Sequence, residues 1–391
     1  MRSKPLLSDA VLFYIHAGLF AFSETIFLFS LPVLFWDKGF PLWFIFGFYA
    51  LAALPGYFFT ARIVRLITKI GIKSMFLFGI FLYILLGFAS PLVEANNLWW
   101  VLVFFLLSLQ AICYFPARAL YFSEIISRET VGTQSGVLNA VMLLSRTAAP
   151  IIAGVIAVST KFNSVFVFGA AVMILSAVPV LFICAQAKTT FDLVDYKRML
   201  NHRVFQSTKW AYIADGAEGI ITFLLWPLLF YLFLSNNNYF ELSSLMTVTC
   251  GVSALVMILV GKLFDRKHRK ALLGASVFAN IVAILGRFAL LIFHPVLFVY
   301  AVQSFYAVSE SMLGSSFESY RYSYSKATDN TFFTIHRDVN FSLGRFLIGS
   351  VLALASLFFT DAKGLWPLFL LSIPIVLVYL KKWKDDDFLN K

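Results

Sequence analysis

Charge is scarce in this sequence. Only 13% of its 391 residues are Asp, Glu, Lys or Arg, where a water-soluble domain carries about 25%. Acids are the rarer sign: 20 Asp and Glu stand against 31 Lys and Arg. Cysteine is nearly absent. Cys113, Cys184 and Cys250 sit in apolar runs without CxxC pairing, which excludes a disulfide scaffold and leaves them as small apolar residues. No G-x-x-x-x-G-K-[ST] loop is present to cradle ATP phosphates, and no H-E-x-x-H or G-x-S-x-G pattern supports hydrolysis. The histidines make no i, i+4 pair. Neither a metal site, a cofactor nor enzymatic activity is therefore expected.

What fills the chain instead is apolar. Hydrophobic residues make up 60% and aromatics 18%, and mean hydropathy is +0.85. This composition is that of a polytopic membrane protein. The first apolar run is too long for a cleavable signal peptide, and no small-residue cleavage site follows it. Apolar runs of membrane-crossing length fall at 9–36, 42–66, 72–93, 97–123, 133–159, 162–187, 208–234, 240–263, 270–293, 295–324, 331–360 and 364–383. Runs this long and continuous satisfy their backbone in lipid only as helices. The expected fold is all-α, with twelve transmembrane helices.

The net charge of +11 would point to nucleic acid in a soluble protein. Here the basic residues collect on one side of the membrane. Arg62, Arg65, Lys69 and Lys73, the basic residues of 188–209 and 262–270, and the Lys381–Lys391 tail share that side. Only Lys38, Lys161 and Lys363 lie on the other. The positive-inside rule then places both termini in the cytoplasm, which agrees with an even number of spans. Compact loops and the lack of a targeting segment favour a bacterial inner (plasma) membrane, with lipid and not nucleic acid as the surrounding partner.

The chain also repeats itself. Tyr212–Pro227 holds two membrane carboxylates, Asp215 and Glu218, at i, i+3, which sets both toward one helical face. The first span carries Glu24, eight residues before Pro32, much as Glu218 lies nine before Pro227. Span five reads Asn139 to Arg146 and span eleven Asp338 to Arg345, each a polar residue two turns ahead of an arginine. Two pseudo-symmetric six-helix bundles, 1–187 and 208–391, are expected, joined by a polar cytoplasmic linker at 188–207. That linker is readable as an amphipathic surface helix or as a simple tether.

One loop is more specific. Gly261-Lys-Leu-Phe-Asp265-Arg266-Lys-His-Arg269-Lys270 resembles the G-x-L-x-D-R-x-G-R-K signature of the major facilitator superfamily, with His268 at the glycine position. A worn copy, Thr68-Lys-Ile-Gly71-Ile-Lys73, stands at the equivalent loop of the first half and lacks the acid. The resemblance implies a secondary transporter, commonly a monomer. In it Gly261, Asp265, Arg266, Arg269 and Lys270 would latch the cytoplasmic side during alternating access. Phe115-Pro-Ala-Arg118, leading through Glu124 to Arg128-Glu129, is similar to the fourth span of lipid and siderophore exporters. Ala149-Pro150-Ile-Ile-Ala153-Gly154 resembles a degraded fifth-span signature of drug/proton antiporters.

A charge at membrane depth costs about 2.5–3.5 kcal/mol on insertion scales, so such residues turn to a cavity or a partner. Glu24, Asp215, Glu218 and Glu310 are the candidates for proton coupling or substrate binding, since a carboxyl in a low-dielectric cavity can take and release protons. Arg118, Arg146, Asp338 and Arg345 are the candidate charge partners. The structural alternative pairs Glu24 with Arg118, and Asp338 with Arg345. Arg287 is read as snorkelling to the outer surface, and His16 as a packing residue rather than a proton relay. The leading expectation is proton-coupled export of a small amphipathic or hydrophobic compound. Proton-coupled uptake of a small solute and lipid or lysolipid flipping are the alternatives.

Overall fold

The computed structural model describes residues 8–125, 131–183, 196, 200, 203–264, 269–327, 330–359 and 361–382, with some side chains near helix ends left out. Among these, all regular structure is helical. Helices α1 (Asp9–Asp37), α2 (Leu42–Ile70), α3 (Ile72–Ala89), α4 (Trp99–Ile125), α5 (Val131–Ser159) and α6 (Phe162–Phe182) form the first half. The second half begins with α7, built of Arg203–Ile220, a π-helical stretch Ile221–Leu225, the turn Trp226–Leu229 and a second π stretch Phe230–Leu234. It continues with α8 (Tyr239–Phe264), α9 (Arg269–Ala289), α10 (Val296–Ala327) and α11 (Asn330–Phe358). The last span, α12, comprises Ala362–Leu365, a 3₁₀ stretch Trp366–Leu371 and Ser372–Lys382. Eleven of these are long and apolar enough to cross a membrane, and Leu273–Ala289 of α9 adds a shorter one.

Local chemistry sets the boundaries. Ser8 caps α1 by accepting a hydrogen bond from the Val11 amide. Gly71, at φ 92°, makes the tight α2–α3 turn in a backbone region open to glycine. Pro227 lacks the amide that would close the preceding α-turn, and the flanking π stretches absorb the break in α7.

Short connections make successive helices antiparallel, and their packing obeys a two-fold rule. In the first half α1 packs on α5 and α6, α3 on α4 and α6, and α2 on α4. Advancing each number by six gives α7 on α11 and α12, α9 on α10 and α12, and α8 on α10, which are the pairs observed. The halves meet along α2–α11 and α5–α8, a pair of contacts that the same operation exchanges. Residue for residue the sequence similarity is slight; the shared packing scheme carries the pseudo-symmetry.

Close approaches fix the helix pairs. A Cβ added at Gly216 would collide with the Phe341 carbonyl oxygen, and one at Gly344 with that of Ile213, so α7 and α11 touch backbone to backbone. The first half is filled by rings: Phe20 stacks on Tyr114 at 3.8 Å, with Phe13, Phe76 and Tyr83 around them. Large apolar side chains such as Phe58, Phe81, Phe105 and Phe278 are exposed on the outside, as a lipid-facing surface requires. The protein is a multi-pass membrane protein of the twelve-helix, two-bundle build.

Candidate functional site

Between the halves lies a cavity of about 480 Å³, walled by α1–α5 on one side and α7, α8 and α11 on the other. Three acids line it, Glu24, Asp215 and Asp338, and so do three arginines, Arg146, Arg337 and Arg345. Their formal charges cancel. Around them stand Phe29, Tyr49, Tyr83, Phe115, Phe223 and Phe341. The result is a largely apolar chamber with a few polar groups, the composition of a small-molecule site.

The charges are held in an ordered way. Arg146 Nη2 on α5 donates to Glu24 Oε2 on α1 at 3.1 Å. Arg337 donates to Asp338 Oδ1 from Nε at 2.7 Å and Nη2 at 2.5 Å. The Arg345 guanidinium lies 4.4 Å from the centre of the Phe341 ring and within electrostatic reach of Glu24 and Asp215. Among the described residues Arg345 Nε, Asp338 Oδ2 and Gln110 Nε2 are buried without a hydrogen-bond partner. The hydroxyls of Thr25 and Thr60 are already committed to Ala21 and Gly56 carbonyls of their own helices. The groups left open to a ligand are therefore these charged and amide groups and the Tyr49 hydroxyl, which is also buried without a partner.

These pairings correct two expectations. Glu24 is partnered by Arg146, not Arg118; Arg118 sits between α4 and α5 with Nη2 2.7 Å from Met142 Sδ and outside the cavity lining. Asp338 is bound by its neighbour Arg337 rather than by Arg345. Arg337 itself escaped sequence reasoning, which singled out only Asp338 and Arg345 on this span.

Asp215 and Glu218 part company. Three residues on an α-helix turn by about 300°, leaving the two side chains about 60° apart. Asp215 lines the cavity, whereas Glu218 is 4% exposed and turns into the second bundle. There Tyr306 donates to Glu218 Oε1 at 2.8 Å, and Thr222 lies 3.3 Å from the same oxygen. Glu310 accepts from Asn280 Nδ2 at 3.0 Å and likewise stays out of the cavity lining. Arg287 belongs to this buried group. It is 1% exposed, donates twice to Gln303 Oε1 (3.2 and 2.8 Å), and lies over the Tyr306 and Trp226 rings at 3.2 and 4.3 Å. The expectation that it snorkels is overturned. Its reach is taken up by ring faces and an amide, which replace water around the guanidinium.

His16 is buried and bonded at both nitrogens, to the Ser176 carbonyl at 2.7 Å and the Tyr114 hydroxyl at 2.8 Å, the packing role expected of it. In the latch motif Gly261 lies near the end of α8, and Arg269 and Lys270 open α9. Asp265 and Arg266 lie outside the described residues, as do Glu124, Arg128 and Glu129 of the fourth-span resemblance as far as their side chains are concerned, and so does most of the linker.

Cross-contacts close the face away from the chain termini. Tyr231 of α7 donates to Asp37 of α1 at 3.1 Å, Ser30 of α1 meets the Tyr239 hydroxyl of α8 at 2.6 Å, and Gly349 of α11 lies against Ala50 of α2.

A two-fold helical frame with one charged chamber on its axis is the build of a membrane carrier. The model of the Major Facilitator Superfamily matches residues 13–348, and the chain belongs to that superfamily of transporters. Among solved structures it is similar to a point mutant of the nucleoside transporter NupG (TM-score 0.74, 14% identity, 96% of this chain and 100% of that one). A second NupG structure gives a TM-score of 0.71 at 14% identity, covering 97% and 100%. At that identity the likeness is one of fold. No curated protein matches in sequence.

Proposed function

We propose that this chain is a secondary active transporter that carries a small amphipathic molecule, with at least one charged group and a flat apolar part, in the central cavity. The observation behind this reading is the lining of that cavity: balanced charges at its wall, unpartnered Arg345, Asp338 and Gln110 atoms, and ring faces between them. A wholly hydrophobic solute would leave those polar atoms unmatched on desolvation, at about 1–3 kcal/mol each. Residues 1–187 and 208–391 are the two moving units and 188–207 the tether. Both termini are cytoplasmic, in the inner membrane. Protons supply the driving force, with Asp215 and Glu24 the acids in contact with substrate, and export is the direction favoured by the exporter-like Phe115–Arg118 and Ala149–Gly154 segments. Uptake is the second reading. The ring faces and the Gln110 amide suit a planar heterocycle, and the NupG structures of similar fold are of a nucleoside transporter.

The test is a thermal-shift screen of the purified protein against a library of charged amphiphiles and nucleosides, repeated with Asp215→Asn and Arg345→Gln. A hit that stabilises wild type and loses its effect in both variants supports the site. Equal stabilisation of all three refutes it. Transport of the hit in vesicles of defined orientation, under an imposed pH gradient of either sign, then decides direction, and indifference to the gradient would remove proton coupling.

A further inference from the structure

The central cavity is charged toward one end and apolar toward the other. Helix α11 runs away from the face of the chain termini, and Asp338 lies eight residues from its start at Asn330. Arg345 follows two turns later. Its guanidinium, however, lies over the Phe341 ring at 4.4 Å, one turn back toward Asp338. Cation and acid therefore bracket one ring. Phe29, Leu107 and Tyr49 line the other end of the same cavity. They stand seven or eight residues from those ends of α1, α4 and α2 that lie at the closed face. Gln110 of α4 lines the cavity between the two ends.

Four atoms along this path are buried without a hydrogen-bond partner among the described residues: Asp338 Oδ2, Arg345 Nε, Gln110 Nε2 and the Tyr49 hydroxyl. Asp338 keeps Arg337 on its other oxygen. The open carboxylate oxygen calls for a positive donor, and the open guanidinium N–H for an anion. A ligand of one sign would answer one of them, strand the other, and unbalance a lining whose formal charges sum to zero. An uncharged ligand, a nucleoside included, would offer partners without charge, and hydrogen bonds between two neutral groups are about half as strong as those with an ionised one. Only a head carrying both charges answers both atoms and keeps the sum at zero.

We infer that the cavity takes a zwitterionic aromatic molecule of the amino-acid class, with its carboxylate on Arg345, its ammonium on Asp338 and its ring directed toward Phe29 and Leu107. An oxygen at the far end of the ring meets the Gln110 amide and the Tyr49 hydroxyl, which makes these two residues the selectivity determinants for that end. The assignment rests on the carrier reading above and narrows its substrate. A chamber of about 480 Å³ holds one such molecule.

The test reads binding without transport, so direction and driving force do not enter. The full chain in nanodiscs is melted in rising concentrations of L-tyrosine, of tyramine, which lacks the carboxylate, of 3-(4-hydroxyphenyl)propionate, which lacks the ammonium, and of uridine. Apparent affinity follows from the rise in Tm. Tyrosine should bind about 5–150-fold more tightly than either single-charge analogue, the effect of one stranded buried group. In Arg345→Gln, tyrosine should fall to the level of tyramine while tyramine is unchanged. If that variant does not fold, Asp338→Asn gives the matching comparison with the propionate. Tyr49→Phe should weaken tyrosine and leave L-phenylalanine unchanged. A residue that only supports the fold would shift all these ligands together. An analogue or uridine binding as tightly as tyrosine overturns the proposal, and so does the absence of any shift from tyrosine up to its solubility limit. In either case a hit from the library of charged amphiphiles still upholds the carrier reading, whereas an empty library fails both, so the two failures are distinguishable.

Discussion

Gly349 offers the sharpest perturbation of alternating access. It packs α11 against α2 on the face that this structure holds closed. A methyl group added there would lie 2.8 Å from the Ala50 Cβ, 3.1 Å from its Cα and 3.3 Å from its amide nitrogen. None of these atoms can rotate away, so Gly349→Ala must force the helices apart by a few tenths of an ångström or more. Overpacking of this kind costs about 1–3 kcal/mol. If the contact exists only while that face is closed, the penalty falls on one state alone and shifts the equilibrium about 5–150-fold toward the open one. Cys250 lines the cavity and is a native reporter. With the other cysteines replaced, a membrane-impermeant maleimide applied from the far face should label Cys250 faster in Gly349→Ala by a factor in that range. Gly47→Ala, whose new methyl would meet Ala353 at an ordinary 3.8 Å, and Gly274→Ala, which meets nothing within 4 Å, should leave the rate unchanged. A lower Tm with an unchanged labelling rate would show that the α2–α11 contact persists in every state, and the reasoning would be wrong.

Other expectations follow from the same geometry. Arg287→Met leaves the buried Gln303 Oε1 without its donor and should destabilise the protein by about 1–3 kcal/mol; Arg287→Met with Gln303→Leu should recover part of that loss in a melting experiment. The Glu24–Arg146 bond is partly exposed, at 17% and 35% for its side chains. Glu24→Gln should therefore cost at most about 1 kcal/mol while abolishing stabilisation by any cavity ligand found in the screen. His16→Ala leaves the buried Tyr114 hydroxyl unpartnered, so Tm should fall by the equivalent of about 1–3 kcal/mol, with the pH dependence of melting unchanged in shape. A changed shape would restore His16 as a proton-handling group.

The sequence was most informative where lipid dictates the answer. Span number follows from apolar runs, and the half-chain repeat was visible in Arg146 and Arg345, which do meet at one cavity from equivalent helices. Which charges a cavity exposes depends on azimuth within a helix, and there the sequence underdetermined the result. Asp215 and Glu218 share a rough face, yet the close seat of α11 on Gly216 leaves one in the cavity and sends the other toward Tyr306. Arg287 meets Trp226 and Tyr306 only in space, so its ring-lined socket had no local signal. Partner choice failed for a similar reason. Periodicity can say that Asp338 and Arg345 lie on one side of α11, but not that Arg337 next door takes the carboxylate first. The α7–α10 hydrogen bond between Tyr306 and Glu218 joins residues 88 positions apart and has no local signal either.

The central claim is that the two halves rock about the charged cavity. The direct measurement is a pair of spin-label distances across the halves, one on each face: Trp43 to Phe358 on the far side and Ile70 to Gln206 on the side of the termini, all at α-helical sites with exposed or partly exposed side chains. Alternating access predicts two populations in which one distance lengthens as the other shortens, redistributed by Gly349→Ala. Two single, fixed distances, or distances that grow and shrink together, would contradict it.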